Sequence, residues 1–148
     1  MISDEKFEEI CLKKLPYILK RAEGKDIYIY GAGIGGGIIS KILAERNIEY
    51  NGYIDKEAAI NNHYNNHKVY ALSEIEKNNA YIIVSLRDYN SDEVEEIKRY
   101  GFYDAEKEVG VERSKYEMIL LKMHEQNLIV IENLKQSMDL NTGHPDYS

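Results

Sequence analysis

Asp26-Ile27-Tyr28-Ile29-Tyr30-Gly31-Ala32-Gly33-Ile34-Gly35-Gly36-Gly37 begins with β-branched and aromatic residues, breaks into glycines, and continues as a helical pattern. The first half predicts a strand. Gly31, Gly33 and Gly36 stand in G-x-G-x-x-G register, the spacing of a dinucleotide-binding turn. Each glycine has a separate task in such a turn. Gly31 permits the tight turn off the strand, Gly33 lets a pyrophosphate approach the backbone, and Gly36 lets the next helix lie close to the strand. The free N–H groups and positive dipole end of that helix would face the phosphates. Ala32, Ile34 and Gly35 complete the set of candidate contacts in the turn.

Working downstream, a helix is expected from Ile38 to about Arg46, then a strand-like run from Ile48 to Ile54 that ends at Asp55. Dinucleotide-binding folds place an acidic residue about 20 positions beyond the glycines, where it accepts from ribose hydroxyls. Asp55 is nineteen residues past Gly36. A carboxylate there favours an unphosphorylated ribose, hence NAD over NADP. The plainer alternative is that Asp55 ends a strand and opens a turn with Lys56-Glu57.

The rest of the chain alternates strand and helix. Upstream, residues 4–22 read as a helix with Ser3 or Asp4 as N-cap and an apolar stripe of Phe7, Ile10, Cys11, Leu15, Ile18 and Leu19. Pro16 is expected to kink or split it, and Gly24 to end it. Downstream, the Asn-rich stretch 61–66 suits turns. Lys68-Val69-Tyr70 predicts a short strand, and Ser73 the cap of a short helix over 74–77. Ala80 to Ser85 is a continuous apolar run of central-strand length. Ser91-Asp92-Glu93 opens another helix, with Val94, Ile97 and Tyr100 inward and Gly101 as C-cap. Phe102-Tyr103-Asp104 would be the last strand.

From Val111 to Met138 the spacing of Tyr116, Leu120, Met123, Val130 and Leu134 predicts one long helix. Its wide apolar face suggests packing on the domain or on a second copy of the chain. The expected organisation is an N-terminal helix over 1–24, a nucleotide-binding unit over 25–110, the long helix over 111–140 and a disordered tail over 141–148. The expected fold is a small doubly wound α/β domain, a parallel sheet of four or five strands with helices on both faces. Ligands of such sheets lie at the carboxyl ends of the strands. That rule adds Ser85, Leu86 and Arg87 to the candidates, with the guanidinium fork of Arg87 suited to a phosphate.

Composition narrows the function. A net charge of −7 over 148 residues argues against a nucleic-acid surface. The single Cys11 excludes an internal disulfide and suits a reducing compartment. No apolar run reaches membrane-spanning length, and Met1-Ile2-Ser3-Asp4-Glu5 lacks the character of a signal peptide, so a cytoplasmic location is expected. His63 and His67 would share a face only if helical, and no third ligand stands near, so no metal is expected. Tyr64 to Lys68 and Tyr103 to Lys107 match Tyr-x-x-x-Lys, a match that thirteen tyrosines make unremarkable. Catalytic residues are therefore expected to be none.

Tyr30-Gly31-Ala32-Gly33-Ile34-Gly35-Gly36, followed by Gly52-Tyr53-Ile54-Asp55, resembles the Rossmann-like N-terminal domain of bacterial sugar O- and N-acyltransferases. Related domains occur in polysaccharide-biosynthesis proteins and sugar C-methyltransferases. Val69-Tyr70-Ala71-Leu72-Ser73-Glu74, Ile82-Ile83-Val84 and Lys98-Arg99-Tyr100-Gly101-Phe102 follow in the family's order, so the resemblance covers roughly residues 25–105. It implies a nucleotide, often a nucleotide-sugar, held at the glycine turn and Asp55, in the service of glycan biosynthesis. Joined with the fingerprint and the strand-end rule, the expected contacts of a nucleotide-sugar or NAD are Gly31, Ala32, Gly33, Ile34, Gly35, Gly36, Asp55, Lys56, Ser85, Leu86 and Arg87. Two departures stand out. Asn61 to His67 replace the family's glycines before the Val strand. The hexapeptide-repeat domain that does the acyltransferase chemistry has no counterpart, so binding without independent catalysis is expected.

Two alternatives stand beside this reading. One is an S-adenosylmethionine methyltransferase or sugar-nucleotide-modifying fragment, with Arg87, Tyr89 or the His63 loop on the substrate side. Against the methyltransferase, Ile29 occupies the position two before the first glycine where an acid is usual. The other is an interaction module that works through the C-terminal helix.

Overall fold

A computed structural model describes residues 3–75, 79–86, 92–105 and 116–121. Helix α1 (Asp4–Arg21) starts where Ser3 Oγ accepts from the Lys6 amide at 3.1 Å. Gly24, at φ +77°, turns the chain into β1 (Asp26–Tyr30). Pro16 does not split α1. Both Pro16 and Leu12, whose carbonyl the proline leaves without its helical donor, face solvent, so water can serve that carbonyl. Buried Phe7, Ile10, Cys11, Leu15 and Ile18 hold the helix on either side.

Helix α2 (Ile34–Glu45) begins four residues earlier than the sequence suggests, taking the glycines into its first turn. Then come β2 (Gly52–Ile54), β3 (His63–Tyr64) and β4 (His67–Tyr70). Asn65 and Asn66 join β3 to β4 with φ of 49° and 61°, the two positive values of a type I′ hairpin. A 3-10 turn (Leu72–Glu74) follows, with Ala71 rather than Ser73 at its start and Glu74 Oε1 accepting from the Ala71 amide at 2.8 Å. Strand β5 (Ala80–Val84), α3 (Asp92–Arg99), β6 (Tyr103–Asp104) and β7 (Tyr116–Leu120) complete the described elements. Gly101, at φ +99°, closes α3.

The sheet has seven strands in the order β3-β4-β2-β1-β5-β7-β6, parallel except for the β3–β4 hairpin. It therefore exceeds the four or five strands expected. The main source of the difference is Tyr116–Leu120, predicted as helix and found as a strand paired along its length with β5. Met118, Ile119, Leu120 and Leu121 are buried in that sheet. They are a strand-length apolar run whose Leu and Met content mimicked a helical stripe, and tertiary pairing overrides so weak a propensity. Residues 111–115 and 122–148, which hold the remainder of that predicted helix and the tail, lie outside the described residues.

Strand pleating divides the core in two. Ile27 and Ile29, Tyr53, Tyr81 and Ile83, and Ile119 pack with α1 and α2 on one face. Tyr28 and Tyr30, Ile54, Ile82 and Val84, and Met118 and Leu120 pack with Leu72, Val94 and Ile97 on the other. The molecule is a three-layer α/β arrangement with three α-helices among the described residues. At the amino ends of the strands, Glu117 is fully buried in β7, with Oε1 3.1 Å from Arg21 and 3.3 Å from Lys25. Both cations come from α1 and its exit, so the pair clamps the first helix to a strand near the far edge of the sheet. Among the described residues no helix is long and apolar enough to cross a membrane.

Candidate functional site

From β1 the chain passes outward to β2 and β4, then returns to place β5 on the other side of β1. A crevice opens where the order reverses, outside the carboxyl ends of β1 and β5. The glycine turn after β1 and Ser85-Leu86 after β5 form its two sides. Gly31 occupies φ +113°, which an L side chain rarely adopts, and a Cβ there would meet Ser85 Oγ at 2.4 Å. At Gly36 an added Cβ would lie 1.9 Å from the Gly31 carbonyl oxygen, and at Gly35 2.7 Å from that of Ser85. These three glycines are therefore required by packing. Gly33 is different. A Cβ there meets nothing within 4 Å, and the residue is the N-cap of α2 with no side-chain cap.

Asp55 reaches this turn from the end of β2. Its Oδ2 accepts from the Ala32 amide at 3.0 Å and its Oδ1 from the Glu57 amide at 3.0 Å. Each oxygen keeps a lone pair for a further donor. Ser85 is buried, and its hydroxyl donates to the Tyr30 carbonyl at 2.6 Å, which ties the ends of β1 and β5 together. Leu86 is half-buried beside it, while Ile34 is exposed at the mouth. Lys56 turns to Glu93 in the first turn of α3 and makes an ion pair with it. Arg87 and Tyr89 lie outside the described residues.

Three adjoining clefts share Asp55. One of 360 Å³ lies along the glycine turn with Ser85 and Leu86. A second, of 220 Å³, runs over Tyr30 towards Lys56, Ser73, Glu96 and Tyr100. The third, of 230 Å³, runs past Ala32 towards Glu57, His63 and Tyr64. Burial, reinforced by the carboxylates of Glu96, Glu93 and Asp55, pushes the Tyr30 phenol up to about 12, so it stays a neutral hydrogen-bonding group.

Two site residues carry no sequence signal. Tyr64, in the hairpin, donates its hydroxyl to the Gly33 carbonyl at 3.2 Å. Glu93 meets Lys56 across the fold. Both partnerships join residues more than thirty positions apart, and no local pattern encodes them. His63 and His67 fall on the paired strands of the hairpin, not on a helix face, and His67 Nδ1 lies 2.7 Å from the Asn65 carbonyl oxygen. Among the described residues no three metal-ligating side chains gather. Tyr64 and Lys68 are likewise hairpin residues, with the Lys68 ammonium 4.7 Å from the centre of the Tyr70 ring.

A larger cleft, of 780 Å³, lies away from the carboxyl ends of the strands, between α2, residues 47–50 and the hairpin. Its side chains are bonded to one another. Asn65 Nδ2 donates to Ser40 Oγ and the Tyr53 hydroxyl, and the Tyr50 and Tyr53 hydroxyls are 3.1 Å apart. Size alone does not make it the better site. No family model matches the chain, and no match to it was found among curated proteins or solved structures.

Proposed function

We propose that this chain is a Rossmann-like nucleotide-binding domain, with a nucleotide-sugar or NAD as ligand and no catalysis of its own. The diphosphate would lie against Gly33 and the first amides of α2, and the ribose against the remaining lone pairs of Asp55. The nucleotide-sugar alternative, and a role in glycan biosynthesis, draw their support from the resemblance to the sugar acyltransferase domains.

One observation carries the reading. In a turn where Gly31, Gly35 and Gly36 are each demanded by packing, Gly33 faces open space at an uncapped helix N-terminus. Packing gives no reason for a glycine there. An approaching anion does, because a Cβ would hold it off the backbone amides. Asp55 supports the same ligand from the other side and disfavours a 2′-phosphate.

The test is calorimetric titration with NAD, NADP, UDP-N-acetylglucosamine and S-adenosylmethionine, on the wild type and on Gly33→Val. A Cβ at 33 meets nothing within 4 Å, and the unfolding midpoint of Gly33→Val, read beside the titration, separates a lost helix cap from a lost ligand. Micromolar binding of one ligand by the wild type and its loss in Gly33→Val is the expected result. Binding that survives Gly33→Val, or no binding by any of the four, overturns the proposal.

A further inference from the structure

The charge of the crevice is opposed to an anionic ligand. The described side chains lining its three clefts include the acids Asp55, Glu57 and Glu96, and Lys56 is the one Lys or Arg among them. That ammonium is engaged by Glu93, in a contact that links the loop after β2 to the first turn of α3. Its hydrogen bond to the Glu93 carboxylate, with that group's charge, raises the pKa of Lys56, so the ammonium is held charged where it stands. The pair is open to water, with 63% of the Lys56 side chain and 23% of that of Glu93 exposed. An exposed pair gives up its partner readily, because water compensates each group as it leaves.

We propose that Lys56 is a partner-exchanging cation: Glu93 holds it in the unliganded protein, and the diphosphate of a nucleotide seated on the glycine turn takes it over. This inference rests on the nucleotide reading above. Reach permits the exchange. Lys56 follows Asp55 directly, and the Asp55 carboxylate already touches the turn through the Ala32 amide at 3.0 Å. Lys56 lines the cleft over Tyr30, which shares Asp55 with the cleft along the glycine turn, and its flexible four-carbon stem lets the ammonium swing between them. Charge favours the exchange, since a diphosphate offers more negative charge and more acceptor oxygens than one carboxylate. Glu93 thereby acts as a competitor that lowers affinity for every phosphorylated ligand, and leaves nucleosides unaffected.

The probes are NAD and UDP-N-acetylglucosamine, each set against its phosphate-free nucleoside, adenosine or uridine. Affinities are measured for the wild type, Lys56→Gln, Glu93→Gln and the double variant, all substitutions of partly or largely exposed side chains. Lys56→Gln is expected to weaken binding of the phosphorylated probe roughly 3–10-fold, and Glu93→Gln to tighten it roughly 2–5-fold. The tightening should vanish when Lys56 is already glutamine, since the two residues act as one unit. A Glu93→Gln gain of equal size in both backgrounds overturns the exchange and leaves only a diffuse repulsion. A Lys56→Gln variant that binds as the wild type does overturns it as well. Binding by none of the four proteins sinks the nucleotide reading itself, and this inference with it.

Discussion

Gly36→Ala should unseat α2 from β1. The new Cβ would sit 1.9 Å from the Gly31 carbonyl oxygen, whereas real Cβ atoms do not approach within 3.0 Å of a neighbour, so the helix must withdraw by about 1 Å. Ile39, Ile42 and Leu43 ride on that helix into the core shared with Phe7 and Ile29, and each loses contact as it lifts. Overpacking of this kind costs about 1–3 kcal/mol. Against it stands the better helix propensity of alanine, about 0.5–1 kcal/mol. The obstruction is backbone and has no rotamer to escape into, which puts the overpacking at the upper end of its range, about 3 kcal/mol, and leaves a net loss of about 2 kcal/mol, or roughly 4–8 °C in Tm for a chain of this size. Gly33→Ala is the internal control. Its Cβ meets nothing, so its cost is confined to the poorer N-cap that alanine makes, about 0.5–1 kcal/mol. Urea unfolding followed by circular dichroism reads both. Equal midpoints for the two variants would refute the assignment of Gly36 to packing and Gly33 to open space.

Three further outcomes follow from the same structure. Glu117→Ala should cost about 3 kcal/mol, because it leaves Lys25, with only 9% of its side chain exposed, and Arg21 without their buried partner; an unchanged urea midpoint would count against the clamp. Asp55→Ala removes the acceptor of the Ala32 amide, so hydrogen exchange at that amide should accelerate at least tenfold while β5 amides keep their protection; equal protection in both proteins would mean the carboxylate does not hold the turn. Burial, reinforced by Glu8, pushes the Cys11 thiol from 9.0 up to about 12. The folded protein thus keeps a proton that the unfolded chain releases from about pH 9, and stability falls as pH rises through that window. By pH 10.5 the wild type should lose about 2 kcal/mol more than Cys11→Ala does relative to pH 8, and equal losses would refute the shift.

What was legible in the sequence is what short-range physics decides. Ser3 and Gly24 bound α1 because a cap needs a side-chain oxygen and a helix exit needs a left-handed residue. The run Asp26–Tyr30 and the apolar run Ala80–Val84 became β1 and β5 because their residues suit a half- or fully buried pleat. The glycine turn was legible as a pattern, yet its spacing could not distinguish the glycines that pack from the one that faces open space. That distinction depends on Ser85, fifty residues away, coming to lie against Gly31 and Gly35. Strand β7 was hidden for a related reason. The spacing of Tyr116 and Leu120 reads as part of a helical stripe, and the run can be buried as a strand only once Arg21 and Lys25 are brought to Glu117. By itself the sequence determined the ends of α1, the two central strands and the turn, because caps, positive φ and side-chain period act over a few residues. Only the tertiary structure decided the seventh strand, the hold of Asp55 and Tyr64 on the glycine turn, and the Lys56–Glu93 pair, because each is an energy shared between residues that chain entropy keeps apart until the sheet has formed.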